Sequence, residues 1–520
     1  MTYNAALLVE RSALTVPDHL AVIGVDRSWT YKELDEYAQQ IARGLRKAGL
    51  SAGSHVALIA ATGGHYVAAH FGILKAGMVA VPINIRLRPH QIANLLDYAD
   101  VQACLVPDLP AAGLAEAALS AIAASTKCVV AWVQAPSIPA PTDDRIRRWQ
   151  ELIEPLDHPF ETVSVAPEAL AILSYTSGTT GHPRAAMLSH ESELYCAPVF
   201  QNGWGVGSTD TVVATVGLFT GYGRVALLNA GLAGSVTFAF LPAFDPVQVV
   251  DTMRRVNATG FVGVPAMFYE LRRAHQEARV DLRSLLPYWR HIMYGGAPMR
   301  RDLREFFGQD LGLSTVQGYG LTECGGIAQS PTDARPSPLI PDPLHPLWPE
   351  DLQIVDSEGA PVPVGETGEV VMRGPIIMQG YYKNPDRSAA CLRGDFFYTG
   401  DYARRLNDGV FELLGRQCDT INRGGYMIYP AEIEAVLLEH PAIQNAAIKG
   451  LPDDRLGSEV AAYILLKPGA MATSDALKAW MKEQLASFQY PRHVILVDAL
   501  PMGPTGKVEK HLLPEPVTNS

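Results

Sequence analysis

Residues 171 to 190 read AILSYTSGTTGHPRAAMLSH, and the change of character inside this stretch governs how the rest of the chain is understood. Ala171, Ile172 and Leu173 have the apolar character of a buried strand end. Thr176, Ser177, Gly178, Thr179, Thr180 and Gly181 then bring two glycines and four hydroxyls into six residues. Glycine lets the backbone turn freely, and bare amides with hydroxyl donors can close around phosphate oxygens. The same composition suits a plain surface turn, so the loop alone leaves two readings open. An apolar stretch follows, which places the loop between two secondary-structure elements.

Composition narrows the class. A chain of 520 residues exceeds what one hydrophobic core serves, which predicts two or more domains. Its hydrophobic content of 48% fits a well-buried globular protein, and its net charge of -12 argues against a nucleic-acid surface, which needs clustered Lys and Arg. Six scattered cysteines, Cys104, Cys128, Cys196, Cys324, Cys391 and Cys418, form no CxxC pair and no disulfide framework, as expected of a reducing, cytoplasmic setting. The start, MTYNAALLVERSAL, has Glu10 and Arg11 where a secretion signal needs its apolar core, so no export is expected. Val225 to Phe244 carries no charge over twenty residues, nominally a membrane-spanning length. Asn229, Gly231, Gly234 and Pro242 interrupt it, and Ser235 to Phe240 is β-branched and aromatic. The expectation is a buried helix turning into a buried strand, with no membrane contact.

Strand and helix patterns alternate along the first 325 residues. The spacing of apolar positions predicts a helix from Glu33 to Ala48, a strand over Val56 to Ala60, a helix from Tyr66 to Leu74 and a strand over Val79 to Pro82. Further on it predicts a helix from Pro246 to Arg255, a strand over Gly260 to Val264, a helix from Pro265 to Ala278 and a strand over His291 to Tyr294. Such alternation predicts an α/β fold of largely parallel sheets covered by helices. Pro136 to Pro141, PSIPAP, reads as a loop. After residue 350, VDSEGAPVPVGETGEVVMRG predicts short strands with glycine turns, a small β-subdomain. Beyond residue 420, two short strands, a helix from Pro430 to Leu438, strands over Asn445 to Ile448 and Val460 to Leu466, and a helix from Ser474 to Leu485 predict a separate α+β unit.

YTSGTTG, followed after His182 by Pro183 and a basic residue, has companions downstream. Gln317-Gly318-Tyr319-Gly320-Leu321-Thr322-Glu323, Tyr398-Thr399-Gly400-Asp401, Gly415-Arg416, Gly424-Gly425 with Pro430-Ala431-Glu432-Ile433-Glu434, and Gly506-Lys507 occur in that order. The set resembles the adenylate-forming superfamily of acyl-CoA synthetases, peptide-synthetase adenylation domains and luciferases, over nearly the whole chain. The resemblance implies an N-terminal domain, residues 1–416, that binds adenylate and acyl group. It also implies a hinge over 417–420 that contains Cys418, and a mobile C-terminal domain, 421–520. ATP or AMP is implied at Thr176, Ser177, Gly178, Thr179, Thr180 and Gly181, at the Gly295-Gly296-Ala297 turn, and at Gln317, Gly318, Tyr319, Gly320 and Thr322. Tyr319 would stack on adenine, and Asp401 with Arg416 would hold the ribose hydroxyls. A carboxylate suits a vicinal diol because it accepts two hydrogen bonds at once.

The reaction implied by the resemblance turns a carboxylic acid and ATP into acyl-AMP and pyrophosphate, after which the coenzyme A thiolate attacks the acyl carbon. Lys507, Glu323, Arg184 and Thr322 would be catalytic, with Glu323 binding Mg2+ if adenylation is active. Charge gathering on phosphate oxygens needs fixed cationic and amide donors. Rotation of the C-terminal domain would then withdraw Lys507 and present Gly424, Gly425 and Tyr426 to coenzyme A, so that one cleft serves two chemistries. Phe219, Thr220, Tyr222, Gly223, Tyr294, Gly320 and Gly325 would line the acyl pocket. These walls are apolar or aromatic with much glycine, which predicts a roomy pocket for a hydrophobic acid. Arg224 beside them reads equally well as a surface charge.

Departures from the family pattern bear on the activity. The family's Pro-Lys-Gly is Pro183-Arg184-Ala185 here, and a planar guanidinium is no simple substitute for a compact ammonium. If position 185 needs a positive φ, Ala185 costs about 1–3 kcal/mol. Thr220 stands where relatives carry a histidine, and Ile340 to Glu350, IPDPLHPLWPE, replaces a glycine-rich turn. The resulting expectation is an acyl-CoA ligase whose adenylation step is weak or lost, fed with acyl-adenylate by a separate ligase. A complete two-step synthetase, a stand-alone adenylation domain loading a carrier protein, and a ligand-sequestering protein remain the alternatives.

Overall fold

Local stop and start signals in the sequence are obeyed. In the computed structural model a helix spans Tyr31–Lys47. Its cap is reciprocal: Thr30 Oγ1 accepts from the Glu33 N–H at 3.2 Å and Glu33 Oε2 accepts from the Thr30 N–H at 2.8 Å, which satisfies two amides that a helix start leaves orphaned. Pro246–Arg255 is a helix with Pro246 in its first turn, where a missing N–H costs nothing, and with Asp245 accepting from the Gln248 N–H at 2.9 Å. The structure describes the chain except residues 1–2, 25–26, 108, 110–111, 135–142, 154, 156, 177–183, 298, 300, 331–342, 349–350, 407–408, 417–418, 424–425, 454, 503–507 and 515–520. Ser177 to Gly181, the PSIPAP stretch, Cys418, Gly424, Gly425, Lys507, and 340–342 with 349–350 of the proline-rich stretch therefore lie outside the described residues.

Strands before residue 417 build three sheets. The first orders Ile146–Arg148, Val130–Val133, Ala103–Val106, His55–Leu58, Val79–Pro82, Leu170–Tyr175 and Ala185–Ser189. It is parallel throughout except for its last pair. In the second, a parallel centre of Ser314–Leu321, His291–Gly295, Gly260–Gly263, Thr211–Ala214, Thr237–Phe240 and Leu20–Ile23 is flanked by antiparallel strands at both edges. The third is the expected small antiparallel sheet, built on Leu352–Val355, Thr367–Met372, Phe396–Arg405 and Phe411–Arg416. This is the expected α/β architecture: right-handed crossovers make parallel strands cheap only when helices cover them.

A fourth sheet follows, with Ile421–Arg423, Tyr426–Ile428, Ile443–Asp453, Gly457–Leu466 and His493–Leu496, and with helices Pro430–Leu437 and Ser474–Gln484. It has its own core around Ile433, Leu437, Ile448, Ile464, Leu477 and Met481. Val225 to Phe244 also follows expectation. It continues the π-helical Tyr222–Asn229 through Ala230–Ala233 into the buried strand Thr237–Phe240. Among the described residues no helix is long and apolar enough to cross a membrane.

Candidate active site

Two strands flank the glycine-rich segment. Leu170–Tyr175 and Ala185–Ser189 pair antiparallel with Tyr175 opposite Ala185, and the Thr176 N–H donates to the Arg184 carbonyl at 2.9 Å. Ala185 is the first residue of a strand, fully buried, and is not among the described residues with a positive φ. The strain expected at this position is therefore absent: an alanine fits an extended backbone without cost, whatever stands there in relatives.

A second segment binds this hairpin to the Glu323 turn. Backbone bonds join Gln379 N–H to Met187 O at 2.8 Å, Met187 N–H to Gly380 O at 2.9 Å and Tyr382 N–H to Ala185 O at 2.8 Å. The Met378 N–H reaches the Glu323 carbonyl at 2.7 Å, and the Tyr381 hydroxyl donates to Glu323 Oε1 at 2.7 Å. Burial, and then the charge of Glu323, push the Tyr381 hydroxyl above its ordinary range, so it stays a donor. Nothing in the local pattern Gly380-Tyr381-Tyr382 marks Tyr381 for this place, because its partner lies 58 residues away.

On the adenosine side, Gly295 and Gly318 are direct neighbours of two parallel strands, which brings the Gly295-Gly296-Ala297 turn beside Gln317 to Gly320. Gly296 has φ +80° and a Cβ there would have only Val264 near it, at 4.0 Å, so the turn presents bare backbone. Tyr319 is buried and donates its hydroxyl to Asp401 Oδ2 at 2.8 Å. Asp401 and Arg416 are cross-strand partners, with Arg416 Nε 3.2 Å from Asp401 Oδ1. The Asp401 N–H donates to Thr399 Oγ1 at 3.0 Å, and that hydroxyl donates onward to the Val370 carbonyl at 2.7 Å. Burial and the Asp401 charge push the Tyr319 hydroxyl well up, keeping it protonated.

The acyl-pocket candidates gather around one turn. Thr220 Oγ1 donates to the Gly217 carbonyl at 2.8 Å and accepts from the Gly223 N–H at 3.0 Å, capping the π-helix that carries Tyr222. A Cβ on Gly221 would sit 3.2 Å from the Thr322 Cα, so this turn lies directly on the YGLTE turn. The glycines do not leave the open space expected of them. A Cβ on Gly295 would meet the Tyr222 ring at 2.9 Å, and one on Gly326 the Phe200 ring at 1.3 Å. One on Gly320 would meet the Gly325 carbonyl at 2.0 Å, and one on Gly325 the Cys196 Sγ at 3.1 Å. The Phe219 ring fills the space beside Gly217 in the same way. Tyr294 is buried, with its hydroxyl 3.4 Å from Gln317 Oε1. Glycine here admits aromatic rings rather than making a roomy cavity. Of the proline-rich stretch, His345 and Pro346 pair with Gln329 and Ala328, and Trp348 stacks on Tyr195 at 4.7 Å.

Arg224 is neither surface nor open pocket. It is wholly buried, with Nε and Nη2 each 3.0 Å from a Glu193 oxygen and Nη1 3.3 Å from Ser174 Oγ. Asn229 Nδ2 adds a bond to Glu193 at 2.7 Å. Burial pushes the Glu193 carboxyl up, but Arg224 outweighs it and the net shift is downward. Tyr426, the described candidate for coenzyme A, is exposed and stacks on Phe488 at 4.7 Å.

The described residues include no cluster of three or more metal-ligating side chains. One carboxylate beside a phosphate site still fits Mg2+, which keeps several waters and is bound through one or two carboxylates plus the phosphates of its nucleotide. Glu323 would fill that part.

Comparison with known proteins identifies the family. Residues 9–382 match the family described as AMP-binding enzyme, and residues 432–507 its C-terminal domain. A feruloyl-CoA synthase from an Amycolatopsis species is 33% identical over 514 residues, 96% of each chain. A fatty acid–[acyl-carrier-protein] ligase, ScoC, from Streptomyces coeruleorubidus is 30% identical, covering 95% of this chain and 92% of its own. The crystal structure of ATP-bound MatB from Rhodopseudomonas palustris superposes with a TM-score of 0.86 at 26% identity, over 98% of both chains. The chain belongs to the AMP-binding enzyme family, and its class is acid–thiol ligase.

Proposed function

We propose that this chain joins a hydrophobic carboxylic acid to coenzyme A through a bound acyl-adenylate, with Asp401 as the centre of the nucleotide site. The observation that carries the reading is the Tyr319–Asp401–Arg416 constellation, in which a buried tyrosine hydroxyl and a cross-strand guanidinium hold one carboxylate beside the bare Gly295-Gly296 turn. Asp401 would take the ribose hydroxyls and Tyr319 would stack on adenine. The hairpin amides of 176–184 with Arg184 would receive the phosphates. Glu323 would hold Mg2+, which when bound supplies positive charge to the phosphate oxygens. Residues 1–416 form the body in this reading, 417–420 the hinge and 421–520 the mobile domain. That domain brings Lys507 to the carboxylate for the first step, then Gly424, Gly425 and Tyr426 to the thiol for the second. The Tyr222 and Phe219 rings against Gly295 and Gly217, with Cys196 against Gly325, favour a compact ring-bearing acid over a long straight chain. Feruloyl-CoA synthase, 33% identical, is named for an aromatic acid.

Within this reading the two half-reactions are unequal: thioester formation is retained and adenylation is weak, with acyl-adenylate supplied by a separate ligase. Arg184 in place of the family's lysine supports it, as does Thr220 in place of a histidine. These departures resemble those of the acyl-CoA ligase of platensimycin and platencin biosynthesis, which works beside a partner ligase. The unstrained Ala185 favours the second reading, a complete two-step synthetase. Pyrophosphate exchange with a panel of acids, set against coenzyme A thioester formation from synthetic acyl-adenylates, separates them. Exchange as fast as thioester formation would end the unequal reading. A holo-carrier protein outcompeting free coenzyme A would redirect the acceptor, as the name of the carrier-loading relative suggests for that protein.

A further inference from the structure

Two carboxylates in this site are each held by one buried tyrosine. Tyr319 donates to Asp401 at 2.8 Å and Tyr381 donates to Glu323 at 2.7 Å. A buried phenol without a partner is costly, so both hydroxyls are retained only where a fixed acceptor meets them. The backbone around Tyr381 is over-determined. Its amide donates to Ser388 Oγ at 2.8 Å, and it forms a bridge with Ala186 on the strand leaving the phosphate hairpin. Its neighbour Met378 holds the carbonyl of Glu323 itself. Main chain and side chain of Glu323 are thus both tied to a segment hydrogen-bonded to the phosphate hairpin.

We infer that Tyr381 is a positioning residue for the adenylate-forming step. It fixes one oxygen of Glu323 so that the carboxylate meets a nucleotide-bound divalent cation without having to be ordered first. A glutamate side chain has three rotatable bonds, and ordering it on ligand binding costs affinity that a preformed hydrogen bond recovers. The inference rests on the proposed role of Glu323 as the cation's ligand. It adds that metal sensitivity and adenosine affinity are governed by two different tyrosines.

Binding measurements test this without requiring turnover. Mn2+ binding is followed by electron paramagnetic resonance in the presence of α,β-methylene-ATP, for the unmodified full-length protein and for Tyr381→Phe, Tyr319→Phe and Glu323→Gln. AMP affinity without metal, and thioester formation from a synthetic acyl-adenylate, are measured on the same proteins. Tyr381→Phe is expected to weaken Mn2+ binding about three- to ten-fold, the worth of one hydrogen bond. It should leave AMP affinity and thioester formation within about two-fold, and Tyr319→Phe should do the reverse. Unchanged Mn2+ affinity in Tyr381→Phe, with weaker binding in Glu323→Gln, overturns the inference and leaves the role of Glu323 standing. Unchanged affinity in Glu323→Gln, or no Mn2+ binding by the unmodified protein, removes that role and the inference with it, while thioester formation stands on its own measurement. Loss of AMP and Mn2+ binding together in Tyr381→Phe marks the residue as general scaffold and also overturns the inference.

Discussion

Two arginine–carboxylate pairs in this molecule do opposite things. Arg224 and Glu193 are 0% and 3% exposed, bidentate, and closed off further by Asn229 and Ser174. Arg416 and Asp401 are 54% and 10% exposed and meet through one contact at 3.2 Å. The first pair has no approach for a ligand, and its two charges are tolerable in the interior only because each satisfies the other. The second leaves its guanidinium half in solvent, where a pair is worth little to stability. A closed pair serves the scaffold, and in the proposed function the open one would serve the ligand.

The sharpest way to break this contrast is to remove one partner from each pair. Arg224→Met strands the Glu193 charge in the interior and should cost about 3–5 kcal/mol, read as a lower urea midpoint by near-ultraviolet circular dichroism. Adding Glu193→Gln should recover much of that loss. Next in size is a pH effect confined to the closed region. Burial, together with the charge of Arg224, lowers His70 to about 4, and burial lowers His190 to about 4. The unfolded chain then binds more protons than the folded one below pH 6.5. Stability is complete above that value and is lost as pH falls toward 4. Between pH 6.5 and 5 each imidazole should remove on the order of 2 kcal/mol, and His70→Gln should flatten the urea midpoint's dependence on pH over that window.

On the open side the effects move to binding. Asp401→Asn should weaken AMP about ten- to a hundred-fold by calorimetry, the range for hydrogen bonds to a charged group, while the thermal midpoint stays within about 2 °C. A comparable loss of stability would show that the pair belongs with Arg224 and Glu193. The smallest expected effect is at Ala185. Because its backbone is ordinary strand, Ala185→Gly should leave pyrophosphate exchange within about two-fold, whereas Arg184→Lys should raise it. A large gain from the glycine would restore strain at position 185.

What the chain spells out locally was legible. Thr30 with Glu33, and Asp245 with Pro246, mark helix starts, because a cap needs only residues three apart. The alternation of strand and helix follows from apolar spacing, and the motif order from Thr176 to Lys507 carries the family. Asp401 opposite Arg416 was readable as two motif residues with one task, and the two are neighbours across a pair of antiparallel strands joined by a short connection.

Tertiary structure decided the rest. Arg224, Glu193 and Ser174 are separated by up to 50 residues, and nothing near any of them tells a buried ion pair from a surface charge. The room expected around Gly325 is narrowed because Cys196 arrives from another element. Tyr381 reached Glu323 only once the segment after Met378 lay along the strand Ala185–Ser189. Propensity and capping act over one turn of chain, so sequence alone determined the elements and their order. Desolvation and the pairing of charges act through space, so only the packed structure determined which polar groups are closed and which stand ready for a ligand.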